Sequence, residues 1–189
     1  RALFKEKLKK LAENGFVLKL DFIIYVLLGI LYNSGSKMEK LHNSSNYDRI
    51  RDAWQKLDTK ILDYVFNILK SQAYIDHTKE VNSVYSFVPI IVYAFNKDNN
   101  LSQLEIKKII KWFYYSQIRF RYISQLQGKL DKDLTIIINE ANPFDKLLNL
   151  ISLDRNLEIS PNEFEGVGVQ HPLWGMMKFY FKSNNAICF

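Results

Sequence analysis

The sequence predicts an all-α protein, a multi-helix bundle of about seven to eight helices. Apolar residues recur at steps of three and four along most of the chain. Only seven glycines and four prolines interrupt the 189 residues, and 48% of the residues are hydrophobic, as expected of a globular protein. No segment shows a convincing period-two alternation, although the run TIIIN at Thr135 to Asn139 is β-like. Helices packed on helices therefore explain the pattern best.

Three helices are predicted in the first half of the chain. The first covers Leu3 to Asn14 and ends at the Asn-Gly pair, a common helix stop. The second covers about Val17 to Asn33 and precedes a polar loop. The third covers Tyr47 to about Ala73, and its apolar residues recur at helical spacing: Ile50, Trp54, Leu57, Ile61, Val65 and Ile68.

The second half contains one short apolar helix followed by a basic one. Val84 to Asn96 is apolar, with Pro89 expected to kink the helix or to occupy its first turn. Ser102 and Glu105 have the spacing of a capping box, which predicts a helix start near Gln103. We expect Gly128 to end this helix.

The remainder of the chain is predicted to contain three further helices and one turn. Helices are expected over 129–141 and 143–152, and the last helix is expected to start near Pro172. A second capping box, Ser160 to Glu163, predicts a brief turn between them. Apolar periodicity continues on both sides of the polar segment 76–82, which favours a single helical domain over 1–189. Because the chain begins with Arg1 and ends without a polar tail, we expect it to be a fragment of a longer multidomain protein.

Composition favours acidic partners and a reducing compartment. Twenty-six Lys and Arg against 20 Asp and Glu give a net charge of +6. The basic residues are concentrated near the start, at Lys5 to Lys10, and between Lys107 and Lys132. A single cysteine, Cys188, excludes an intrachain disulfide and agrees with the cytoplasm. The longest apolar run, Phe22 to Tyr32, falls short of the roughly 20 residues that a membrane span requires, so no membrane partner is expected.

A basic and aromatic helix face is the main candidate for a binding site. On a helix starting near Leu104, residues Ile106, Ile109, Ile110, Phe113, Gln117 and Phe120 share the face expected to be buried. The opposite face, and the segment after it, supplies the candidate nucleic-acid-binding residues Lys108, Lys111, Tyr115, Arg119, Tyr122, Lys129 and Lys132. Cations and rings arranged in this way can follow a phosphate backbone, although a solvated helix face has the same pattern.

Arg121 is expected to form a structural ion pair. The helical wheel places it beside the apolar face, where an unpaired guanidinium would be costly to bury. Asp131 and Asp133 are the nearest candidate partners in sequence. A bidentate pair with either would fix two helices against each other, an architectural role.

The chain lacks the constellations that an enzyme or a metal site requires. His42, His77 and His171 have no second ligand at helical spacing, and a capping role is expected for His171. Gly166 and Gly168 lack the Lys-Ser/Thr continuation of a phosphate loop. We therefore expect no catalytic residue, no metal site and no cofactor in this chain.

These aromatic and basic segments resemble a known family. The similarity is to the helical region of nucleases related to the GmrSD modification-dependent restriction enzyme. It is carried by the runs WF, RFRY and GKLDKDL from Trp112 onward, by the apolar VYSFVPIIVYAF and by the final HPLWGMMKFYFKSNNAICF. In that family the region follows a ParB-like domain with a DGQQR-like motif and often precedes an HNH nuclease domain. Neither motif is in this chain, so no catalytic residue carries over.

Two functions from different classes follow. The resemblance implies a helical accessory domain of a nucleotide-dependent restriction or phage-defence nuclease, positioning DNA or the neighbouring nuclease domains of the same chain. An NTP and a divalent metal would then serve the full-length protein, which would be the endonuclease. The alternative is a helical interaction or dimerisation scaffold without nucleic-acid binding, and the sequence leaves homo-oligomerisation open in both cases. Salt-sensitive DNA binding would separate the two.

Overall fold

The computed structural model describes residues 2–185, and Cys188 lies outside this range. The described residues form eight helices and no strand. They are α1 (Ala2–Glu13), α2 (Leu20–Tyr32), α3 (47–71), α4 (Phe87–Asn96), α5 (Gln103–Ile118), α6 (Leu126–Asn139), α7 (Pro143–Asp154) and α8 (Pro172–Ser183). Short 3₁₀ turns lie between several of them. The all-α prediction is correct, and the β-like run TIIIN lies inside α6.

Most predicted helix starts coincide with local signals in the sequence. Ser102 caps α5 through a capping box with Glu105. Pro89 lies in the first turn of α4, where its missing N–H costs nothing. The second capping box, at Ser160 and Glu163, opens a 3₁₀ turn. His171 caps α8, its ring nitrogen accepting a hydrogen bond from the Leu173 N–H at 3.3 Å.

The predicted helix stop at Gly128 is wrong. Helix α5 already ends at Ile118, and Gly128 lies in the first turn of α6. The chain reverses instead at Phe120 and Gln125, whose φ angles are 54° and 53°. A β-carbon added at Gly128 would meet no atom within 4 Å, so nothing there requires glycine.

Helix α3 is continuous but changes its winding in the middle. Two α-helical parts, Tyr47–Lys56 and Leu62–Ser71, flank one π-helical turn, Leu57–Ile61. The Lys7 ammonium, 6% exposed, donates to the Asp58 carbonyl in this turn at 2.6 Å and to the Asp63 carboxylate at 3.0 Å. A π-turn leaves carbonyl groups available to such partners. The Lys7 ammonium is therefore used in contacts within the fold, and Lys7 does not contribute to an exposed basic surface.

The buried apolar side chains form one cluster that extends from α1 to α8. Helices α2 and α4 pack closely at its centre, where a β-carbon on Gly29 would lie 2.6 Å from a Val92 methyl. Phe87 of α4 stacks on Phe113 of α5 with ring centroids 5.7 Å apart. Helix α5 thus passes through the core, and it also packs against α7 and α8. None of the helices described here is long and apolar enough to cross a lipid bilayer.

Candidate nucleic-acid interface

The connection between α5 and α6 shapes the candidate site. Helix α5 ends in a Schellman motif, in which the Phe120 N–H donates to the Gln117 carbonyl at 3.2 Å and the Arg121 N–H donates to the Ser116 carbonyl at 2.9 Å. The residue at the turn of this motif has a left-handed backbone and is usually glycine. Phe120 occupies that position here, with φ 54° and 42% of its surface exposed. The expected burial of Phe120 on the core face is therefore wrong.

Gln117 fixes the start of this connection from inside the core. Its side chain is 1% exposed, and its oxygen accepts hydrogen bonds from the backbone N–H groups of Asn82 and Ser83 at 2.8 and 3.0 Å. Its amide nitrogen donates to the Ser83 carbonyl at 3.0 Å and to the Ser86 hydroxyl at 2.7 Å. All of this amide's polar atoms are used. The network ties the end of α5 to the segment before α4.

Arg121 and Asp133 form the buried ion pair that joins the connection to α6. The Arg121 Nε and Nη2 atoms donate to the two Asp133 oxygens at 2.8 and 2.5 Å, and the two side chains are 5% and 0% exposed. The Tyr122 hydroxyl also donates to Asp133. Asp131, the other candidate partner, lies elsewhere: its carboxylate accepts from the Ser34 hydroxyl at 2.6 Å and the Gly35 N–H at 2.7 Å.

Burial and charge together fix the protonation of this cluster. Burial alone would lower the pKa of Arg121, but hydrogen bonding to Asp133 and its negative charge outweigh burial and raise that pKa. Burial, and then the Asp133 charge, raise the pKa of Tyr122 well above its ordinary value. The arginine stays charged and the phenol stays a donor.

Tyr122 is consequently misplaced in the predicted exposed stripe. It is 4% exposed and its ring packs edge-on against Trp112, with centroids 6.5 Å apart. The helical wheel fails because the chain turns at Phe120, so residues after this point no longer follow the phase of α5.

Arg119 is also held in place, by the segment that follows α7. Its guanidinium donates to the Glu163 carboxylate, and to the Glu158 carbonyl at 2.7 Å. Its side chain is only 11% exposed, so its placement on an exposed stripe was wrong. Hydrogen bonding from Arg119 lowers the pKa of Glu163.

A basic cleft lies between this connection, the start of α6 and the end of α7. Its volume is about 400 Å³, and we define it by its lining residues: Arg119, Phe120, Arg121, Ser124, Gln125, Lys129, Ile151, Asp154 and Arg155. Among the described residues, four cationic side chains and one carboxylate, Asp154, thus line this space. The ion pairs of Arg119 and Arg121 fix two of these cations in position.

Lys129 and Arg155 supply the cations that remain free for a ligand. Neither forms an ion pair or a side-chain hydrogen bond with another residue in the range 2–185. Burial, and then the positive charge of Arg121, lower the pKa of Lys129. An anion entering the cleft would offset this shift, because its charge favours the protonated lysine. Helix α6 begins beside the cleft and has no side-chain cap, so its first N–H groups add positive potential.

A side cavity of about 670 Å³ adjoins the basic cleft and shares Arg119, Phe120 and Arg155 with it. Its other walls are Ile118 and residues from the segment between α7 and α8: Asn156, Glu158, Ser160, Glu163, Val167, His171 and Leu173. The Phe120 ring stands edge-on to the His171 ring, with centroids 6.2 Å apart and planes at 65°. Phe120, like Arg119 and Arg155, therefore borders both spaces.

The other predicted stripe residues do not join this site. Lys108 bridges α5 to α7 by donating to Asp145 at 2.6 Å and Asn142 at 3.1 Å. Lys111 and Lys132 are exposed, and Tyr115 is half-buried against the core. None of these four residues lines the basic cleft. Of the predicted binding residues, the fold brings only Arg119 and Lys129 together at the cleft, beside the ion-pair residue Arg121.

Sequence reasoning missed Arg155 as a residue of this site. It follows the end of α7, far along the chain from the α5–α6 connection, and only helix packing brings it to the cleft. One signal was present: Arg155 is the single Lys or Arg between Lys146 and Lys178. Phe120 was missed for a different reason, because the wheel assigned it to the core.

Neither a metal cluster nor a known relative helps to define the site. Within the part of the chain that the structure describes, no three His, Cys, Asp or Glu side chains are grouped as metal ligands. No protein-family model, no curated protein and no solved structure matches this chain.

Proposed function

We propose that this chain is a helical accessory domain that positions DNA by binding its phosphates in the basic cleft. One observation carries the proposal: four cations converge on a space with a single carboxylate, and two of them lack an ion-pair partner among the described residues. Unpaired cations that converge in this way raise the local concentration of a polyanion and release its counterions on binding.

The two kinds of cation have different roles in the proposed contact. Arg119 and Arg121 are held by Glu163 and Asp133, so they present a rigid wall with little side-chain entropy left to lose. Lys129 and Arg155 reach the phosphates directly. Phosphate contacts of this kind fix the position of DNA without reading its sequence. An accessory domain needs only that property.

The family resemblance supplies the biological setting of the proposal. A region similar to the GmrSD-related nucleases would serve a nucleotide-dependent restriction or phage-defence endonuclease in the cytoplasm. Catalysis, with its NTP and divalent metal, would belong to ParB-like and HNH domains elsewhere in that protein. This chain would contribute the DNA contact that holds the substrate near them.

Charge reversal at the two free cations tests the proposal. Lys129→Glu/Arg155→Glu should lower the affinity for DNA equally for all sequences. Losing two phosphate contacts lowers the salt slope by up to about 1.8. A fourfold rise in salt concentration lowers the binding constant of both proteins. The factor by which it falls should be up to about 12 times larger for the wild type than for the variant.

A matched control separates local from global charge. Lys9 and Lys60 are exposed, lie on α1 and α3, and are absent from the cleft lining. Lys9→Glu/Lys60→Glu changes the net charge by the same amount and should keep affinity and salt slope close to wild type. If both variants lost DNA affinity equally, the effect would come from the net charge of the protein and not from the basic cleft. No salt-dependent binding by the wild type would favour the scaffold function.

A further inference from the structure

We propose that the basic cleft and the side cavity together bind an unpaired nucleotide of single-stranded DNA. The phosphate lies among the cations of the cleft, and the base enters the side cavity against the Phe120 ring. This inference rests on the proposed function and specifies the form of DNA that the site accepts.

The backbone at Phe120 is the first observation. In a Schellman motif the left-handed residue is normally glycine, because a β-carbon there costs about 1–2 kcal/mol. Phe120 adopts φ 54° at this position and keeps 42% of its surface exposed. Phe120 thus combines a strained backbone with an aromatic side chain that is partly exposed. Strain of this kind is concentrated at binding sites, where the surrounding structure maintains it.

The surroundings of the ring are the second observation. Phe120 lines both the cleft and the side cavity, so a nucleotide with its phosphate in one space has its base beside the ring in the other. Base–aromatic stacking combined with a cationic groove is the usual way in which proteins hold single strands. His171 forms a second ring wall of the side cavity.

The chemistry of the side cavity is the third observation. Its volume of about 670 Å³ is ample for one nucleobase. Asn156 and Ser160 line it and offer hydrogen-bond donors and acceptors to the edge of a base. In duplex DNA the base faces are covered by neighbouring bases, and a ring cannot stack on them unless the base leaves the helix. The site therefore favours an unpaired base.

Phe120→Gly is the decisive variant, because it should weaken binding without a large loss of stability. Glycine relieves a left-handed strain of about 1–2 kcal/mol, which offsets much of the apolar burial lost with the ring, so the melting temperature should change by less than about 4 °C. Binding of a single-stranded oligonucleotide should weaken roughly 5- to 150-fold, because one stacking contact is lost. A residue with a purely structural role would instead lower the melting temperature and leave binding unchanged.

Two further variants and one spectroscopic probe complete the experiment. Ile123→Ala alters another exposed apolar residue of the same connection, which is 62% exposed, and should leave binding within about twofold. Phe120→Trp should retain single-strand binding, because an indole also stacks. An oligonucleotide containing 2-aminopurine should lose fluorescence on binding to wild type and to Phe120→Trp, but not to Phe120→Gly.

The outcomes distinguish this inference from the proposed function. If duplex and single-stranded DNA bind equally and Phe120→Gly binds both like wild type, the single-strand inference is wrong. Lys129→Glu/Arg155→Glu would in that case still weaken both, and the proposed function would stand. If neither form of DNA binds with salt dependence, the proposed function itself fails.

Discussion

Removal of the Arg121 guanidinium should destabilise this fold strongly. Asp133 is 0% exposed and receives three hydrogen bonds, two of them from Arg121. In Arg121→Ala the carboxylate keeps only the Tyr122 hydroxyl and remains inside the core. Breaking a buried ion pair by removing one partner costs about 3–5 kcal/mol, chiefly because the other charge stays desolvated.

Arg119→Ala provides the comparison. Arg119 and Glu163 are 11% and 32% exposed, so water can solvate the carboxylate once the arginine is gone. We expect the loss in unfolding free energy to be smaller than for Arg121→Ala, despite the similar number of hydrogen bonds. The two positions are close in sequence and differ mainly in the burial of the carboxylate left behind.

Urea unfolding followed by circular dichroism gives the free energy of unfolding of both variants, and thermal melts give their melting temperatures. A loss of 3–5 kcal/mol should lower the melting temperature by roughly 6–20 °C in a domain of this size. The triple variant Arg121→Met/Tyr122→Phe/Asp133→Leu removes the charge, its partners and the orphaned hydroxyl together, and it should recover most of the stability. A loss below about 1 kcal/mol for Arg121→Ala, or a triple variant as unstable as the single one, would refute the reasoning.

Three smaller predictions follow from the packing and the caps. Gly29→Ala should cost about 1–3 kcal/mol, because the new methyl group would lie 2.6 Å from the Val92 side chain. Gly128→Ala, with nothing within 4 Å, should instead stabilise α6 by up to about 1 kcal/mol, and thermal melts of the two variants measure this contrast. Hydrogen bonding from Tyr93 lowers the pKa of Glu105 to about 2 from 4.5. The carboxylate therefore stabilises the fold above about pH 4.5 and loses this effect as the pH falls toward 2, so acid unfolding of Glu105→Gln should show a shallower pH dependence there. An identical pH profile for Glu105→Gln would exclude this contribution.

The helices themselves could be predicted because their signals are local. The capping box of Ser102 and Glu105 and the spacing of Trp54 to Ile68 need only neighbouring residues, and they set α5 and α3 correctly. The expected pairing of Arg121 followed from the cost of burying a lone cation, and the structure supplies Asp133 as its partner.

The site could not be predicted in the same way, because tertiary packing overrides the local signals there. The end of α5 depends on Phe120 in a position that normally selects glycine, so the true glycine, Gly128, was a misleading stop signal. After that early turn the chain no longer follows the helical phase of α5, and Tyr122 is buried. Arg155 reaches the cleft only through the packing of α7 on α5 and α6, which no sequence period records.

Photo-crosslinking tests the central claim, DNA at the basic cleft, most directly. Single-stranded and duplex DNA carrying bromodeoxyuridine would be irradiated with the chain, and the crosslinked peptides would be identified by mass spectrometry. We predict crosslinks within 119–129 and at Arg155, with the single strand crosslinking more strongly at Phe120. Crosslinks confined to the exposed face that carries Lys107 and Lys111, or spread evenly over exposed lysines, would contradict a DNA site at the basic cleft.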